Sequence, residues 1–371
     1  MGARPNFMKI APVIDALGAL DDDVVQTLVH TGQHYDEEMS QVFFRDLGLR
    51  TPDVNLGVGS GSHAAQTAAV MAACEPVLQR ERPDWVVVVG DVNSTLAATV
   101  TAAKMGLKVA HVEAGLRSFD RTMPEERNRV VTDHLADLLL TPSRDADANL
   151  AREGIAAERI RFVGNVMIDT LVRLLPVAER RWPETSERLR GLGRPGGLER
   201  GEYALVTLHR PSNVDGPEAL KAIMADLAFL AESMPVIFPV HPRTRARLEA
   251  MGTADVNGSV KMIEPLGYLD FLSLQANARL VVTDSGGLQE ETTFLGVPCI
   301  TVRENTERPI TIEQGTNTLV PPSGLREALV QALSKLKPRR REATAGPSIE
   351  YWDGRAGERV AAALTGALGG S

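Results

Sequence analysis

Cysteine is scarce in this chain. Only Cys74 and Cys299 occur among 371 residues, far apart and with no CxxC or His/Cys ligand spacing. That pattern speaks against a disulfide framework and against a structural zinc, so no metal is expected and both thiols read as reduced core residues. Excess positive charge is also missing. The net charge is −8 and no basic block stands out, which argues against non-specific nucleic-acid binding and leaves room only for a small basic pocket of the kind that takes phosphates. Long hydrophobic runs are missing too. Stretches such as Trp85 to Val89 are far too short to cross a bilayer, and no signal peptide is visible, so the chain reads as cytoplasmic with no membrane partner.

What is present is an alternation of strand-like apolar runs with Ala-rich helical stretches, in a chain long enough for two ordinary domains. The alternation predicts an α/β class with parallel sheets. Expected strands are Val24 to Val29, Asp84 to Val89, Lys108 to Val112, Leu138 to Leu140, Ile160 to Val163, Tyr203 to Thr207, Pro235 to Val240 and Lys261 to Ile263. Expected helices include Glu37 to Leu47, Asn128 to Leu135, Glu218 to Glu232 and Tyr268 to Gln275. Residues 1–165 are expected to form one Rossmann-like domain and 166–355 a second, with a last helix in 356–371 able to return to either. Arg181 to Glu202, rich in Arg, Gly and Pro, reads as a surface connection. The opening Met1-Gly2-Ala3-Arg4-Pro5-Asn6 resembles the turn after a first strand, so a strand is expected ahead of residue 1.

Leu280 to Pro309 is the most informative segment. An apolar run, Leu280-Val281-Val282, leads into Asp284-Ser285-Gly286-Gly287 and then a helical stretch, Leu288 to Leu295. Two glycines at a strand-to-helix turn let backbone N–H groups approach an anion, and the positive end of the helix favours a phosphate there. Glu290 and Glu291 are expected in the first turn, either as an acidic cap or as acceptors for ribose hydroxyls. Phosphate and ribose readers on one turn suggest a nucleotide or nucleotide-sugar. A tight turn with an acidic cap is the plainer reading.

Other polar residues fall at strand ends, where doubly wound sheets bind ligands. Asp91 follows the Val86 to Val89 run, Glu113 follows Val109 to Val112, His209 follows Leu205 to Thr207 and Ser285 follows Val281-Val282. Each has a structural alternative as a cap, an ion-pair partner or a loop histidine. Met123-Pro124-Glu125-Glu126-Arg127-Asn128-Arg129 looks like a helix start, and its proline and first acid suit one. Helix initiation does not account for the whole array. Gly57-Val58-Gly59-Ser60-Gly61 lacks the preceding strand and later spacing of a dinucleotide fingerprint, so no NAD site is expected. The Arg243 to Arg247 run reads as a solvated helix face.

Taken together these segments resemble the non-hydrolysing UDP-N-acetylglucosamine 2-epimerase family. The resemblance rests on Gly2-Ala3-Arg4-Pro5, Thr31-Gly32-Gln33-His34, Gly90-Asp91, His111 to Arg117, Pro124-Glu125-Glu126, Gly164-Asn165, Leu208-His209-Arg210, Asp284 to Glu291 and Thr306-Glu307-Arg308-Pro309, in order and over nearly the whole chain. It implies two doubly wound Rossmann-like domains of the glycosyltransferase-B type with a cleft between them, and a homodimer. It also implies that Asp91, Glu113, Glu125 and His209 form an acid–base cluster with Arg129 close by. Ser285, Gly286 and Gly287 would hold the UDP phosphates, Glu291 the ribose, Phe271 the uracil, and Arg4, Lys9 and Arg308 further parts of the substrate. The implied chemistry is cofactor-independent inversion at C2 by elimination and re-addition of UDP through 2-acetamidoglucal, which needs ionisable groups on both faces of the sugar.

The sequence departs from the family at Asn6, where many members have Glu, and at Leu266, where some have Gln. The loop Gln33 to Met39 differs from that of members activated by a second substrate molecule, so such activation is not expected. Some of these variations, with Gly59 to His63, are similar to members acting on UDP-2,3-diacetamido-sugar acids. A hydrolysing epimerase releasing ManNAc and UDP, a retaining glycosyltransferase of the same fold and a UDP-sugar sensor without turnover are the remaining readings.

Overall fold

A computed structural model describes residues 6–20, 24–32, 47–190, 198–251, 260–336 and 348–366. The chain divides into two compact units. Unit 1 is Met1–Arg173 with Ile349–Ser371, and unit 2 is Leu174–Ser348. Among the described residues every strand pairing is parallel.

In unit 1 the strands are β1 Val29–His30, β2 Val54–Asn55, β3 Val86–Val89, β4 Val109–Val112, β5 Leu138–Thr141 and β6 Ile160–Phe162. The helices are α1 Phe7–Gly18, α2 His63–Glu81, α3 Asn93–Lys104, α4 Pro124–Leu135 and α5 Arg144–Arg152. Next comes α6, Val166–Arg188, which carries the chain into unit 2. β3 to β6 form a four-stranded sheet in sequential order, and β1 pairs with β2. The valine and leucine runs are continuous because both sheet faces are covered. Val86, Val88 and Leu139 pack with Cys74, Leu78, Ala98 and Ala102 on one face, and Val89, Ala110, Val112 and Leu140 pack with Val13 on the other. Each such fully buried Val or Leu contributes roughly 1.5–3 kcal/mol.

Unit 2 has β7 Ala204–Thr207, β8 Val236–Pro239, β9 Val260–Ile263, β10 Leu280–Thr283, β11 Cys299–Val302 and β12 Asn317–Val320. Its longer helices after α6 are α7 Pro217–Ala231, α8 Pro242–Ala250, α9 Tyr268–Asn277, α10 Gly286–Phe294 and α11 Leu325–Lys335. α12, Ala356–Gly366, returns to unit 1, where it packs on α1. The unit 2 sheet has the order β12-β11-β10-β7-β8-β9, so the winding reverses between β7 and β10. A doubly wound sheet opens a ligand crevice at that reversal, outside the carboxyl ends of the strands. His209 and Ser285 therefore stand just past the carboxyl ends of the two strands that flank it.

Three expectations change. Residues 24–28 lie outside any ladder; the Leu28 N–H donates to the Asp53 carboxylate at 2.6 Å, so only Val29–His30 pairs. The Arg181 to Glu202 stretch is helical as far as Arg188. Tertiary contacts override its composition there: Thr185 and Arg188 bond Asp270, and Trp182 stacks on Tyr203 at 6.1 Å. α10 begins at Gly286 rather than Leu288, which moves Glu290 and Glu291 out of the first turn. They are buried along the helix and cap nothing. Most of the expected Glu37 to Leu47 helix lies outside the described residues.

Candidate active site

In unit 1 the site is built on the ends of β3 and β4, which are paired neighbours. Gly90 turns the chain out of β3 at φ +66°, with its N–H on the Val112 carbonyl at 3.1 Å. A Cβ at Gly90 would lie 2.9 Å from Asn6 Oδ1 and 3.1 Å from Lys9 Nζ, so a side chain here would crowd both. Asn6 in turn donates from Nδ2 to the Val89 carbonyl at 2.7 Å. Asp91 follows, partly exposed, and accepts from Arg129 Nε at 3.0 Å. At the end of β4, Glu113 sits in the left-handed region at φ +70°, is 7% exposed and pairs with Lys9. A non-glycine residue held there costs of order 1 kcal/mol or more, a cost that recurs where backbone strain serves a site.

α4 brings the third group. Its first turn holds both Glu125 and Glu126, and their surroundings separate them. Glu126 is buried and accepts from the Ser118 N–H and hydroxyl, each at 2.9 Å, from the Phe119 N–H at 3.0 Å, and from Arg129. It is occupied in fastening the Ser118 loop. Glu125 is half-buried and makes no hydrogen bond or ion pair among the described residues. Asn128 ties the helix to the turn after β3 through the Asp91 carbonyl at 2.8 Å.

A buried cluster beneath these loops was not singled out from sequence. His111, fully buried on β4, bonds the Gly90 carbonyl through Nε2 at 2.8 Å and the Asp133 carboxylate through Nδ1 at 2.6 Å. Both partners only accept, so both ring nitrogens donate. Asp133 also accepts from the Gly115 N–H at 3.1 Å and pairs with Arg117 at 2.7 Å. Burial alone would push its carboxyl up, but the His111 and Arg117 charges and hydrogen bonds hold it below the usual range. Arg117 is spent on Asp133 and, in a bidentate pair, on Glu153 at 2.7 and 2.8 Å.

In unit 2 the strand-to-helix turn after β10 carries Ser285, Gly286 and Gly287 at the start of α10. The Ser285 N–H is engaged by Thr283 Oγ1 at 3.0 Å. A Cβ on Gly286 would lie 2.6 Å from Arg308 Nη1 and 2.7 Å from Glu307 Oε1. Glycine is thus what lets Arg308 lie against the turn. Arg308 is buried between Glu307 and Glu290, the latter at 3.0 Å, and Arg303 reaches Glu307 at 2.7 Å. Glu291 is 2% exposed and takes the Tyr268 hydroxyl at 2.9 Å. Phe271, half-buried, stands on the same helix α9 as Tyr268. His209 leaves β7 with its ring 59% exposed and Nδ1 on Asp284 at 2.9 Å. Of the expected site residues, Arg4 lies outside the described ones. Arg245 and Arg247, expected on a solvated face, bond Glu264 and Asp215. Among the described residues no group of three or more His, Cys, Asp or Glu side chains is placed to hold a metal ion, and no helix is long and apolar enough to cross a membrane.

Two buried carboxyls make stability pH-dependent. Burial raises Glu291 to about 7 against the Tyr268 hydrogen bond, and burial raises Asp169 to about 6 against the Ala356 and Gly357 N–H groups. A carboxyl that titrates higher in the folded than in the unfolded chain binds its proton more tightly when folded. Its contribution is complete below the unfolded value and is lost as pH rises through the folded one. For Glu291 that window runs from 4.5 to about 7 and holds up to about 3 kcal/mol. Urea midpoints of the wild type are therefore expected to fall between pH 5 and 8 relative to those of Glu291→Gln. Parallel pH curves for the two proteins would refute this.

Residues 19–365 match the family described as UDP-N-acetylglucosamine 2-epimerase. The UDP-N-acetylglucosamine 2-epimerase of Methanocaldococcus jannaschii is 44% identical over 370 residues, 98% of this chain and 97% of the relative. A UDP-2,3-diacetamido-2,3-dideoxy-D-glucuronate 2-epimerase of Pseudomonas aeruginosa is 40% identical over 323 residues, 86% of each chain. Among solved structures, the M. jannaschii UDP-GlcNAc 2-epimerase in complex with UDP-GlcNAc and UDP gives a TM-score of 0.84 at 42% identity, with 98% of this chain and 97% of that one covered. The Neisseria meningitidis UDP-GlcNAc 2-epimerase bound to UDP-GlcNAc gives 0.85 at 28% identity, with the same coverage.

Proposed function

The chain belongs to the UDP-N-acetylglucosamine 2-epimerase family, and from that premise we propose that it interconverts UDP-N-acetylglucosamine and UDP-N-acetylmannosamine without a cofactor. In the proposed reaction a base takes the proton from C2 while the C1–O bond breaks, releasing UDP and leaving 2-acetamidoglucal. A proton is then delivered to C2 from the opposite face, and the UDP oxygen re-forms the bond to C1. The C2 hydrogen has no adjacent carbonyl to acidify it, so departure of UDP must accompany its removal.

The observation that carries this reading is the division between Glu125 and Glu126. One acid is consumed by the Ser118 loop, whereas the other has no partner among the described residues and stands on the helix whose Arg129 holds Asp91. Asp91, Glu113 and Glu125 then supply the acid and base functions. Arg129 pairs with Asp91, and Lys9 with Glu113. In unit 2, the Ser285, Gly286 and Gly287 turn and Arg308 bind the diphosphate, His209 offsets its charge, Glu291 takes the ribose and Phe271 the uracil. Arg4 completes the proposed contacts. A homodimer in the cytoplasm belongs to the same proposal and is checked by sedimentation, with twice the chain mass expected.

The Pseudomonas relative supports a second reading, in which the sugar is a UDP-2,3-diacetamido acid. Incubation with each UDP-sugar in deuterated water, followed by proton NMR, decides between them. UDP-ManNAc carrying deuterium at C2 is the expected product. Free ManNAc would mean hydrolysis, turnover of the diacetamido acid alone would install the second reading, and no turnover of either would leave a binding protein.

A further inference from the structure

Asp284 is fully buried at the end of β10, one residue before the glycine turn. Its carboxylate accepts from the His209 N–H at 3.1 Å on both oxygens, from the Arg210 N–H at 2.9 Å, from Asn213 Nδ2 at 2.9 Å and from His209 Nδ1 at 2.9 Å. Arg210 also donates from Nε to the Asp284 carbonyl at 3.1 Å. Asn213 is anchored from behind by the Val302 carbonyl at 3.0 Å. Burial would raise the carboxyl, but these bonds, led by that of His209, keep it ionised. The neighbouring strands β7 and β10 are in register up to Thr207 and Thr283, so the two loops leave the sheet side by side.

We infer that Asp284 is a positioning residue that fixes the tautomer and heading of the His209 ring. The inference rests on the epimerase reading only for its purpose, not for its geometry. An ionised carboxylate can only accept, so Nδ1 must carry hydrogen, and in the neutral ring Nε2 is then the bare nitrogen. Free imidazole side chains favour the opposite arrangement. The ring is mostly exposed while its Nδ1 edge is tied down, so a proton enters or leaves at Nε2 alone. Protonated there, the ring presents one fixed N–H to an anion. The same residue shapes the start of the phosphate turn, since the Ser285 to Gly287 segment follows it directly. Charge neutralisation of a departing diphosphate then needs no rearrangement of the ring.

Nitrogen-15 NMR of histidine-labelled, ligand-free protein tests this without any turnover, so the outcome is independent of whether a UDP-sugar is epimerised. His209 is assigned by comparison with His209→Gln. Above the pH at which its ring becomes neutral, the expected spectrum has a protonated Nδ1 and a bare Nε2. A protonated Nε2, or rapid averaging between the two forms, overturns the inference. Asp284→Asn is expected to move His209 toward the Nε2–H form and to lower kcat by roughly 100-fold or more with KM changed little. Unchanged tautomer or unchanged kcat in that variant overturns it as well. If Asp284→Asn does not fold, the wild-type spectrum decides alone.

Discussion

Glu113→Gln is expected to lose between about 100-fold and 10,000-fold in kcat, the usual span for removing a general acid or base, while UDP binds within about threefold of the wild-type affinity. The replacement keeps the shape and the φ +70° backbone but removes the charge and with it the ability to exchange a proton. Glu113 is nearly buried and held by Lys9, so the isosteric amide has no room to reorganise. Lys9 keeps some solvent access and does not become a stranded buried charge. Steady-state kinetics with calorimetric titration of UDP separates the outcomes. Near-normal kcat removes Glu113 from the acid–base set, and a collapse of UDP affinity reassigns it to binding.

The second large effect lies away from the chemistry. Gly164→Ala is expected to destabilise the protein by about 3 kcal/mol or more, the sum of a left-handed backbone penalty and overpacking. Gly164 has φ +90°, and a Cβ there would sit 2.2 Å from the Tyr351 carbonyl oxygen. That oxygen belongs to backbone, so relief requires the 348–366 segment to move. Trp352 beside it is 6% exposed, with its indole N–H on the Pro142 carbonyl at 3.3 Å, and its fluorescence should shift to the red. A fall in Tm of roughly 6–12 °C follows. Gly106→Ala is the control, because Gly106 has φ +72° and nothing within 4 Å of a Cβ. Equal losses in the two variants would sink the packing explanation.

The parallel strands were readable because residues such as Val86 to Val89 and Leu280 to Val282 are buried on both faces, which leaves uninterrupted apolar runs. The strand-end rule likewise pointed to Asp91, Glu113, His209 and Ser285. α2, His63–Glu81, was not read, because its alanines show little contrast between faces and Pro76 interrupts it. Glu125 and Glu126 are equivalent by position; only the Ser118 loop, folded back on one of them, tells them apart. The His111–Asp133 pair spans 22 residues and the Asp284–His209 pair 75. Neither spacing has a local signature, although Asp284 stands at a strand end as Asp91, Glu113, His209 and Ser285 do.

α12 has a consequence for how the protein is made. The α12 N–H groups of Ala356 and Gly357 end on the Asp169 carboxylate at 3.1 and 2.7 Å. Val360 and Leu364 lie in the same core as Val13, Val112 and Leu138. Gly357 is backed so closely by the Pro12 carbonyl that a Cβ would lie 2.6 Å from it. Unit 1 is thus closed by residues the ribosome adds after the whole of unit 2, Leu174–Ser348. The usual amino-to-carboxyl order is inverted: the second unit is complete first. The β3 to β6 sheet then waits, one flank only partly covered, for on the order of ten seconds or more at ordinary elongation rates. That interval, rather than the finished protein, is where this chain is most exposed to aggregation and to chaperones.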